Sequence, residues 1–196
     1  VDGFRCDVAS TVPVDFWLAA REAVERVHPG MIWLGESVHL DHIRTFREHG
    51  FYAATDTELF DAFDILYPYD LWPLYEGCTK GALPLSRFFD VVDMQEVSFP
   101  TEYNKLRCVE NHDQTRGAAR FPDRASLLVW TALSYFMKGT TLLYAGQEVC
   151  AAHTPSLFER EPIDWADGPD ISGYLAKLAA VKKQLPTDVV FHIVAD

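Results

Sequence analysis

The stretches that decide the fold are VDGFRC at Val1–Cys6 and MIWL at Met31–Leu34. Both are short, largely apolar runs, which are typical of buried β-strands. Between them, the residues from Pro13 to about Val27 place apolar side chains on one helical face, and Pro13 suits the first turn of a helix. This strand–helix–strand order predicts an α/β fold in which helices cover a parallel sheet.

The rest of the chain continues this alternation, and its spacing favours a barrel. A TIM (β/α)8 barrel uses about 250 residues, or about 31 for each strand and its helix, and the first two strands begin about one such unit apart. Five predicted strands therefore amount to more than half of a barrel. An open doubly wound sheet is the alternative, but the first strand is not followed by the glycine-rich loop of a nucleotide-binding version. The other predicted strands are Phe63–Tyr67, Leu106–Val109 and Thr141–Tyr144, the other predicted helices are Ser86–Phe99, Asp123–Lys138 and Ile171–Leu185, and residues 69–85 are predicted as a long loop.

The composition excludes several classes of protein. The chain has 196 residues, of which 29 are acidic and 17 basic, so its formal net charge is −12. A hydrophobic content of 48% excludes a disordered chain. The negative charge argues against nucleic acid or an anionic membrane surface as a partner. No apolar run approaches the roughly 20 residues that a membrane-spanning helix needs.

The cysteines and the first residue bear on the cellular setting. The four cysteines form no CxxC pair and have no metal-ligand spacing, so we predict free structural thiols and no metal ligands. Free thiols favour a reducing compartment such as the cytoplasm. The chain begins at Val1 rather than at Met, and we expect the natural start of the polypeptide to lie upstream. The cysteines are Cys6, Cys78, Cys108 and Cys150.

Three carboxyl side chains follow predicted strands near the point where each strand ends. Asp7 follows the first strand, Glu36 the second and Asp113 the fourth. Arg5 and Asp7 share a face, because side chains of a strand repeat every two residues. The catalytic groups of a βα-barrel come from the carboxyl ends of several strands. We therefore expect these residues to form a catalytic site at one end of the sheet.

Two facing carboxyl groups are what retaining glycoside hydrolysis needs. One attacks the anomeric carbon, and the other protonates the leaving oxygen and later activates water. The guanidinium of Arg5 would favour the ionised form of Asp7, as a nucleophile requires. Glu36, on a mostly apolar strand, is the better candidate for an acid that keeps its proton until it donates it. Asp113 would grip the sugar and stabilise positive charge in the oxocarbenium-like transition state.

These segments resemble signature regions of the α-amylase family, glycoside hydrolase family 13. The three regions are GFRCDVA at Gly3–Ala9, WLGES at Trp33–Ser37 and VENHD at Val109–Asp113. In addition, Phe63–Asp70 is similar to the sixth barrel strand of that family and GTTLLYAGQE at Gly139–Glu148 to the eighth. The resemblance implies a partial barrel, strands 4 to 8 with their helices, from the C-terminal part of the catalytic barrel.

The resemblance also implies a role for each site residue. Asp7 matches the family's nucleophile, and Glu36 matches its general acid/base. Asp113 matches the third carboxylate, which holds hydroxyl groups of the sugar next to the scissile bond. Arg5 corresponds to the arginine that orients the nucleophile, and His112 corresponds to a histidine that contacts the same sugar.

Domain organisation and cofactors follow from the same resemblance. Residues 1–186 would form the C-terminal portion of the barrel, and residues 187–196 would begin a C-terminal β domain. No cofactor is required for the chemistry, although a structural calcium ion is common in these enzymes and takes ligands partly from regions upstream of this chain. Ser10 and Thr11 stand where many endo-acting members have Lys-His, which puts one calcium contact in question.

The implied function is retaining hydrolysis of α-glucans, such as starch and maltooligosaccharides, by double displacement within a longer enzyme. Val8, directly after Asp7, also resembles the residue of oligo-1,6-glucosidases, neopullulanase-like members and some bacterial amylases, so the choice between α-1,4 and α-1,6 bonds stays open. An α-1,6-glucosidase is therefore one alternative, and a transglycosylase that uses the same machinery is another. A non-catalytic amylase-like binding module is a further alternative, but such relatives commonly lack one of the three carboxylates. We expect this chain alone to be inactive, because five strands leave open sheet edges, through which copies could self-associate.

Overall fold

The computed structural model describes residues 1–186. The chain divides into two compact units, Val1–Leu106 and the part that begins at Arg107. The predicted start of a C-terminal β domain, residues 187–196, lies outside the described residues.

A parallel sheet organises the first unit. Its strands are β1 (Gly3–Cys6), β2 (Ile32–Gly35) and β3 (Ile65–Leu66), in the order β1-β2-β3. The register pairs Cys6 with Gly35 and Gly35 with Leu66, so the carboxyl ends of the three strands lie side by side. The α/β class with parallel strands is therefore confirmed, although β1 and β3 are shorter than predicted and β2 is shifted by one residue.

Helices follow each strand of this sheet. The predicted helices after β1 and before the fourth strand are present as α1 and α5. Sequence periodicity did not predict α2, α3 and α4. Of these, α3 is a single turn, and α4 carries both a proline and a glycine, which favour a loop. The helices are α1 (Val14–Glu25), α2 (Leu40–Glu48), α3 (Asp56–Leu59), α4 (Trp72–Thr79) and α5 (Leu85–Ser98), with a 3-10 turn at Ala9–Thr11.

The prediction of a loop over residues 69–85 is wrong where α4 forms. Trp72 and Tyr75 of α4 are buried, and that burial outweighs the low helix propensity of this segment. Gly77 is needed because a Cβ atom there would lie 2.5 Å from the side chain of Leu83. Tertiary packing therefore decides the local structure here.

The core of the first unit lies between the sheet and its helices. Leu66 of β3 and Leu59 of α3 are fully buried, and Phe63 packs between them and Trp33 of β2. Burial of such side chains contributes about 25 cal/mol for each Å² of apolar surface removed from water. Trp17 of α1 packs edge-on against Phe63. This packing holds the sheet against its helices, and so fixes the strand ends from which the loops start.

From Leu106, at the boundary between the units, to residue 186, the structure has a short strand pair, three α-helices and a 3-10 turn at Gln147–Val149. Strand β4 (Leu106–Arg107) pairs with β5 (Thr140–Thr141). The predicted cap of the longest of these helices is confirmed, because the carboxylate of Asp123 accepts the N–H of Ser126 at 2.7 Å. Two side chains of the last helix bond to neighbouring segments. The hydroxyl of Tyr174 donates to the carbonyl of residue 128, and Nζ of Lys182 donates to that of residue 139. The helices are α6 (Gly117–Arg120), α7 (Arg124–Phe136) and α8 (Ser172–Lys182).

Within residues 1–186, none of the helices combines the length and the apolar character that crossing a membrane demands.

Candidate active site

Asp7 and Glu36 occupy equivalent positions on neighbouring strands. Each residue directly follows the last residue of its strand, Cys6 in β1 and Gly35 in β2, and these two are register partners. Gly35 permits close packing behind Glu36, since a Cβ atom there would lie 2.9 Å from side-chain atoms of Phe63 and Leu66. The two acids therefore leave the same edge of the sheet on a rigid base.

One guanidinium group joins the two acids. Nη1 of Arg5 contacts Oδ1 of Asp7, and its Nη2 lies 2.9 Å from Oε1 of Glu36. Burial works against the charge of Arg5, but hydrogen bonds to Tyr67 and Asp7 and the charge of Glu36 outweigh it and raise the pKa of Arg5. The strand periodicity predicted Arg5 beside Asp7 alone, whereas in the structure Arg5 lies between both carboxyl groups.

The environments of the two acids differ. The Asp7 side chain is 77% exposed, whereas that of Glu36 is 9% exposed. Oε2 of Glu36 accepts the backbone N–H of Val8 at 2.8 Å. Each oxygen of Glu36 therefore lies next to an N–H group, from Arg5 or from Val8.

The backbone after Asp7 is strained. Val8 adopts a left-handed conformation with φ of 42° and ψ of 44°, which is costly for a β-branched residue. This conformation turns the N–H of Val8 towards Glu36 and starts the 3-10 turn. The N–H of Ala9 then reaches the carbonyl of Glu36 at 2.9 Å. Through these two hydrogen bonds, the loop after β1 is held against the end of β2.

Ser10 and Thr11, which replace the Lys-His pair of many family members, have structural contacts. The hydroxyl of Ser10 accepts the N–H of Val38 at 3.1 Å, and the hydroxyl of Thr11 donates to the carbonyl of Val8 at 3.0 Å. Both side chains therefore hold the loops that follow β1 and β2.

Tyr67 belongs to this site, although sequence reasoning did not include it. It directly follows β3, and its N–H donates to the carbonyl of Gly35 at 3.1 Å. The guanidinium of Arg5 lies 5.4 Å from the centre of the Tyr67 ring, within reach of a cation–π interaction. Its position immediately after an apolar strand, as for Asp7 and Glu36, is the signal that could have identified it.

The other two predicted site residues lie together in the second unit. Nε2 of His112 is 3.2 Å from Oδ2 of Asp113, and both side chains are partly exposed. The N–H of Asp113 donates to Oδ1 of Asn111 at 3.0 Å, which forms an Asx turn. Because β4 ends at Arg107 rather than at Val109, Asp113 lies farther from the end of its strand than the sequence predicted.

A buried ion pair supports this loop from behind. Oε1 of Glu110 accepts from Nη1 of Arg116 at 2.8 Å, and its Oε2 accepts the N–H of Gly117 at 2.5 Å. Burial raises the pKa of Glu110, and the hydrogen bonds from Arg116 and Gly117 oppose that shift. The guanidinium of Arg116 also lies 4.2 Å from the centre of the Tyr144 ring. Glu110 is thus held next to Asn111, where the loop turns.

Solved structures of α-amylases share this fold and part of its sequence. A crystal structure of an α-amylase from Lactobacillus plantarum is 37% identical, with a TM-score of 0.91, and the match covers 95% of this chain and 44% of that one. The noncanonic maltogenic α-amylase AmyB from Thermotoga neapolitana is 33% identical, with a TM-score of 0.77, and the match covers 94% of this chain and 40% of that one.

A curated protein gives a similar result at lower identity. The α-amylase MalA from Haloarcula japonica is 26% identical over 148 residues, which are 76% of this chain and 20% of that protein. The chain thus spans less than half the length of each of these relatives. No protein-family model matches the sequence.

Proposed function

Because this chain belongs to the α-amylase family, we propose that it supplies the catalytic acids of a retaining glycosidase that acts on α-glucans. The observation that carries the proposal is the single guanidinium of Arg5 that contacts both Asp7 and Glu36 at neighbouring strand ends. A retaining glycosidase needs two carboxyl groups about 5–5.5 Å apart. Two acids that bind opposite arms of one guanidinium are compatible with that separation.

In this mechanism Asp7 attacks the anomeric carbon and forms a covalent glycosyl–enzyme intermediate. Its exposed carboxylate is accessible to a sugar, and the guanidinium of Arg5 contacts it. Glu36 protonates the leaving oxygen and then removes a proton from the water that cleaves the intermediate. For the first of these steps one oxygen of Glu36 must carry the proton that it donates.

We assign His112 and Asp113 to the sugar next to the scissile bond, as in the family that the chain resembles. A carboxylate can accept hydrogen bonds from two sugar hydroxyls and can stabilise the positive charge of the transition state. Asp113 is partly exposed and is oriented by its turn with Asn111, which suits such contacts.

We further propose that β1 to β5 are strands 4 to 8 of a (β/α)8 barrel and that the chain acts as part of a longer enzyme. Chemistry by these residues needs no cofactor, and any structural calcium ion would take part of its ligands from elsewhere in that enzyme. The chain alone would then be inactive and prone to self-association through its open sheet edges.

The test uses the full-length protein and maltooligosaccharide substrates. Asp7→Asn and Glu36→Gln should each lower kcat about 10²- to 10⁴-fold, because each change removes a group that acts in the transition state. Proton NMR of the first product should show retention of the α configuration. Asp15→Asn and Glu48→Gln, which change exposed acids of α1 and α2, are the matched controls and should leave kcat unchanged.

Near-normal activity of either site variant would remove that residue from the mechanism. A full-length protein that binds maltooligosaccharides without cleaving them would favour the non-catalytic binding module. Comparison of products from starch, pullulan and isomaltose would separate α-1,4 from α-1,6 cleavage and hydrolysis from transfer.

A further inference from the structure

His39 is a titratable side chain close to Glu36 in the chain, and the proposed mechanism does not use it. It lies three residues after Glu36, where the loop that leaves β2 enters α2. Its imidazole stacks on the ring of Tyr69, with 4.8 Å between the ring centres and 13° between the ring planes. His39 is partly exposed, whereas Tyr69 is buried. The imidazole of His39 therefore has a defined position and stays within reach of a ligand.

The two residues between Glu36 and His39 are also held in place. The hydroxyl of Ser37 donates to the carbonyl of Tyr67 at 3.0 Å, and the hydroxyl of Ser10 accepts the N–H of the next residue, at position 38, at 3.1 Å. One bond joins this segment to the chain after β3, and the other joins it to the chain after β1. The position of His39 relative to Glu36 is therefore set by the fold.

The hydrogen-bonding groups of the His39 ring are not used by the fold. The side chain makes no capping hydrogen bond to the first turn of α2. Across residues 1–186, neither nitrogen of the His39 ring forms a hydrogen bond with another group of the protein. An imidazole nitrogen can donate or accept a hydrogen bond, according to the tautomer. Both nitrogens are therefore available to a polar ligand.

The order of the strands places the His39 ring on the side of Glu36 that faces away from Asp7. Asp7 follows β1 and Glu36 follows β2. Tyr69, on which His39 stacks, lies in the segment after β3, and the sheet order is β1-β2-β3. In the proposed mechanism Asp7 attacks the anomeric carbon and Glu36 protonates the leaving oxygen. The next position in this order is therefore that of the sugar that leaves.

We propose that His39 is a substrate-binding residue, whose imidazole forms a hydrogen bond with a hydroxyl group of the sugar on the leaving side of the scissile bond. This role rests on the proposed function and adds a contact to the same site. A sugar hydroxyl can both donate and accept, so it suits either imidazole nitrogen. Because the stacked ring is already fixed, it loses little freedom when the sugar binds, which favours the contact.

Nuclear magnetic resonance of the full-length protein tests the contact directly. Asp7→Asn prevents turnover, and maltotetraose is the ligand. The ring signals of His39, identified by their loss in His39→Ala, should shift when maltotetraose binds. The ring signals of His42 are the control and should not shift, although His42 lies three residues further along and also stacks on an aromatic ring, that of Phe46. His39 signals that do not move at saturating maltotetraose would overturn the proposal.

Two substrates that differ only in the leaving group test the effect on catalysis. Maltotriose releases glucose from a maltosyl unit, whereas 4-nitrophenyl α-maltoside releases nitrophenol, which has no sugar hydroxyls. In His39→Ala the ratio of kcat/KM for maltotriose to kcat/KM for the nitrophenyl substrate should fall about three- to tenfold, because one hydrogen bond to the sugar is lost. His39→Gln keeps a donor and an acceptor and should recover part of this loss. His42→Ala is the matched control and should leave the ratio unchanged.

Competition between two acceptors shows whether His39→Ala only displaces Glu36. Glucose and methanol each attack the anomeric carbon of the glycosyl–enzyme intermediate, break its bond to Asp7 and give their proton to Glu36. A displaced Glu36 would lower transfer to both acceptors, whereas a lost sugar contact should lower transfer to glucose, relative to methanol, about three- to tenfold. An unchanged ratio of the two transfer products would overturn the proposal. If the parent protein does not cleave maltotriose, the proposed function fails. If the parent and His39→Ala cleave it equally well, this inference alone fails.

Discussion

Each of the two units buries a cluster of charged side chains, and the two clusters differ in composition. In the first unit Lys105 contacts two acids, Asp56 and Asp70, and these three residues form a buried ion cluster. In the second unit Arg116 contacts one acid, Glu110. Both clusters are excluded from water, so neither is a surface ion pair of small value.

The difference shows how the number of acids decides the state of protonation. Both oxygens of Glu110 accept N–H donors, from Arg116 and Gly117, so the pair is neutral as two ions. The buried ion cluster has one carboxyl group more than it has cations, so it reaches neutrality only with an added proton. We therefore expect pH to change the free energy of unfolding mainly through the cluster of the first unit. Loss of the cation should lower this free energy most in the pair of the second unit.

The largest expected effect is the removal of the cation from the one-to-one pair. Arg116→Met leaves Glu110 buried with no counterion, which should lower the free energy of unfolding by about 3–5 kcal/mol. Urea unfolding of the full-length protein measures the loss. Arg44→Met, which breaks an exposed pair with Asp41, is the control and should cost less than about 1 kcal/mol. A loss as small as that of the control would show that the pair contributes little.

Removal of the cation from the buried ion cluster should cost less. In Lys105→Met the buried carboxyl groups of Asp56 and Asp70 lose the cation that they share, and added protons can neutralise them. We expect the free energy of unfolding to fall by about 1–3 kcal/mol at neutral pH and by less at acidic pH. Urea unfolding at several pH values measures both. A loss greater than that of Arg116→Met, or one that does not change with pH, would contradict this expectation.

The smallest expected effect is that of Asp56→Asn. The pKa of Asp56 is raised in the folded protein, so its contribution to stability is complete below its unfolded pKa and is lost as the pH rises through its folded pKa. The variant does not titrate there. Its free energy of unfolding should lie within about 1 kcal/mol of the parent value at neutral pH. Relative to the parent value, it should rise as the pH rises. In the control Asp41→Asn, at an exposed site, the free energy of unfolding should change with pH as it does in the parent. The same pH dependence in Asp56→Asn would refute the prediction.

The sequence predicted those parts of the structure that depend on neighbouring residues in the chain. Strands β1 and β2 and helix α1 follow from apolar runs and periodicity, and the acids at positions 7 and 36 follow from their places at strand ends. The cap at Asp123 was found in the same way. These features are local, so a single pass along the chain can identify them.

The sequence did not predict features that depend on contacts between distant segments. Lys105 appears as an ordinary charged residue in the sequence, and only the fold brings it to Asp56 and Asp70 and removes it from water. Likewise, the bond of Arg5 to Glu36 depends on the register of two strands. Helix α4 forms because Trp72 and Tyr75 are buried, which its own composition does not indicate.

The left-handed backbone of Val8 has a consequence for protein engineering. Most substitutions beside Asp7, the proposed nucleophile, would change two variables at once, the chemistry of the side chain and the conformational preference of the residue. At position 8 glycine or asparagine would adopt the existing torsion angles more readily than valine does. A library built on these two residues would therefore vary the surroundings of Asp7 while relieving the main chain, so changes in product spectrum could be attributed to side-chain shape.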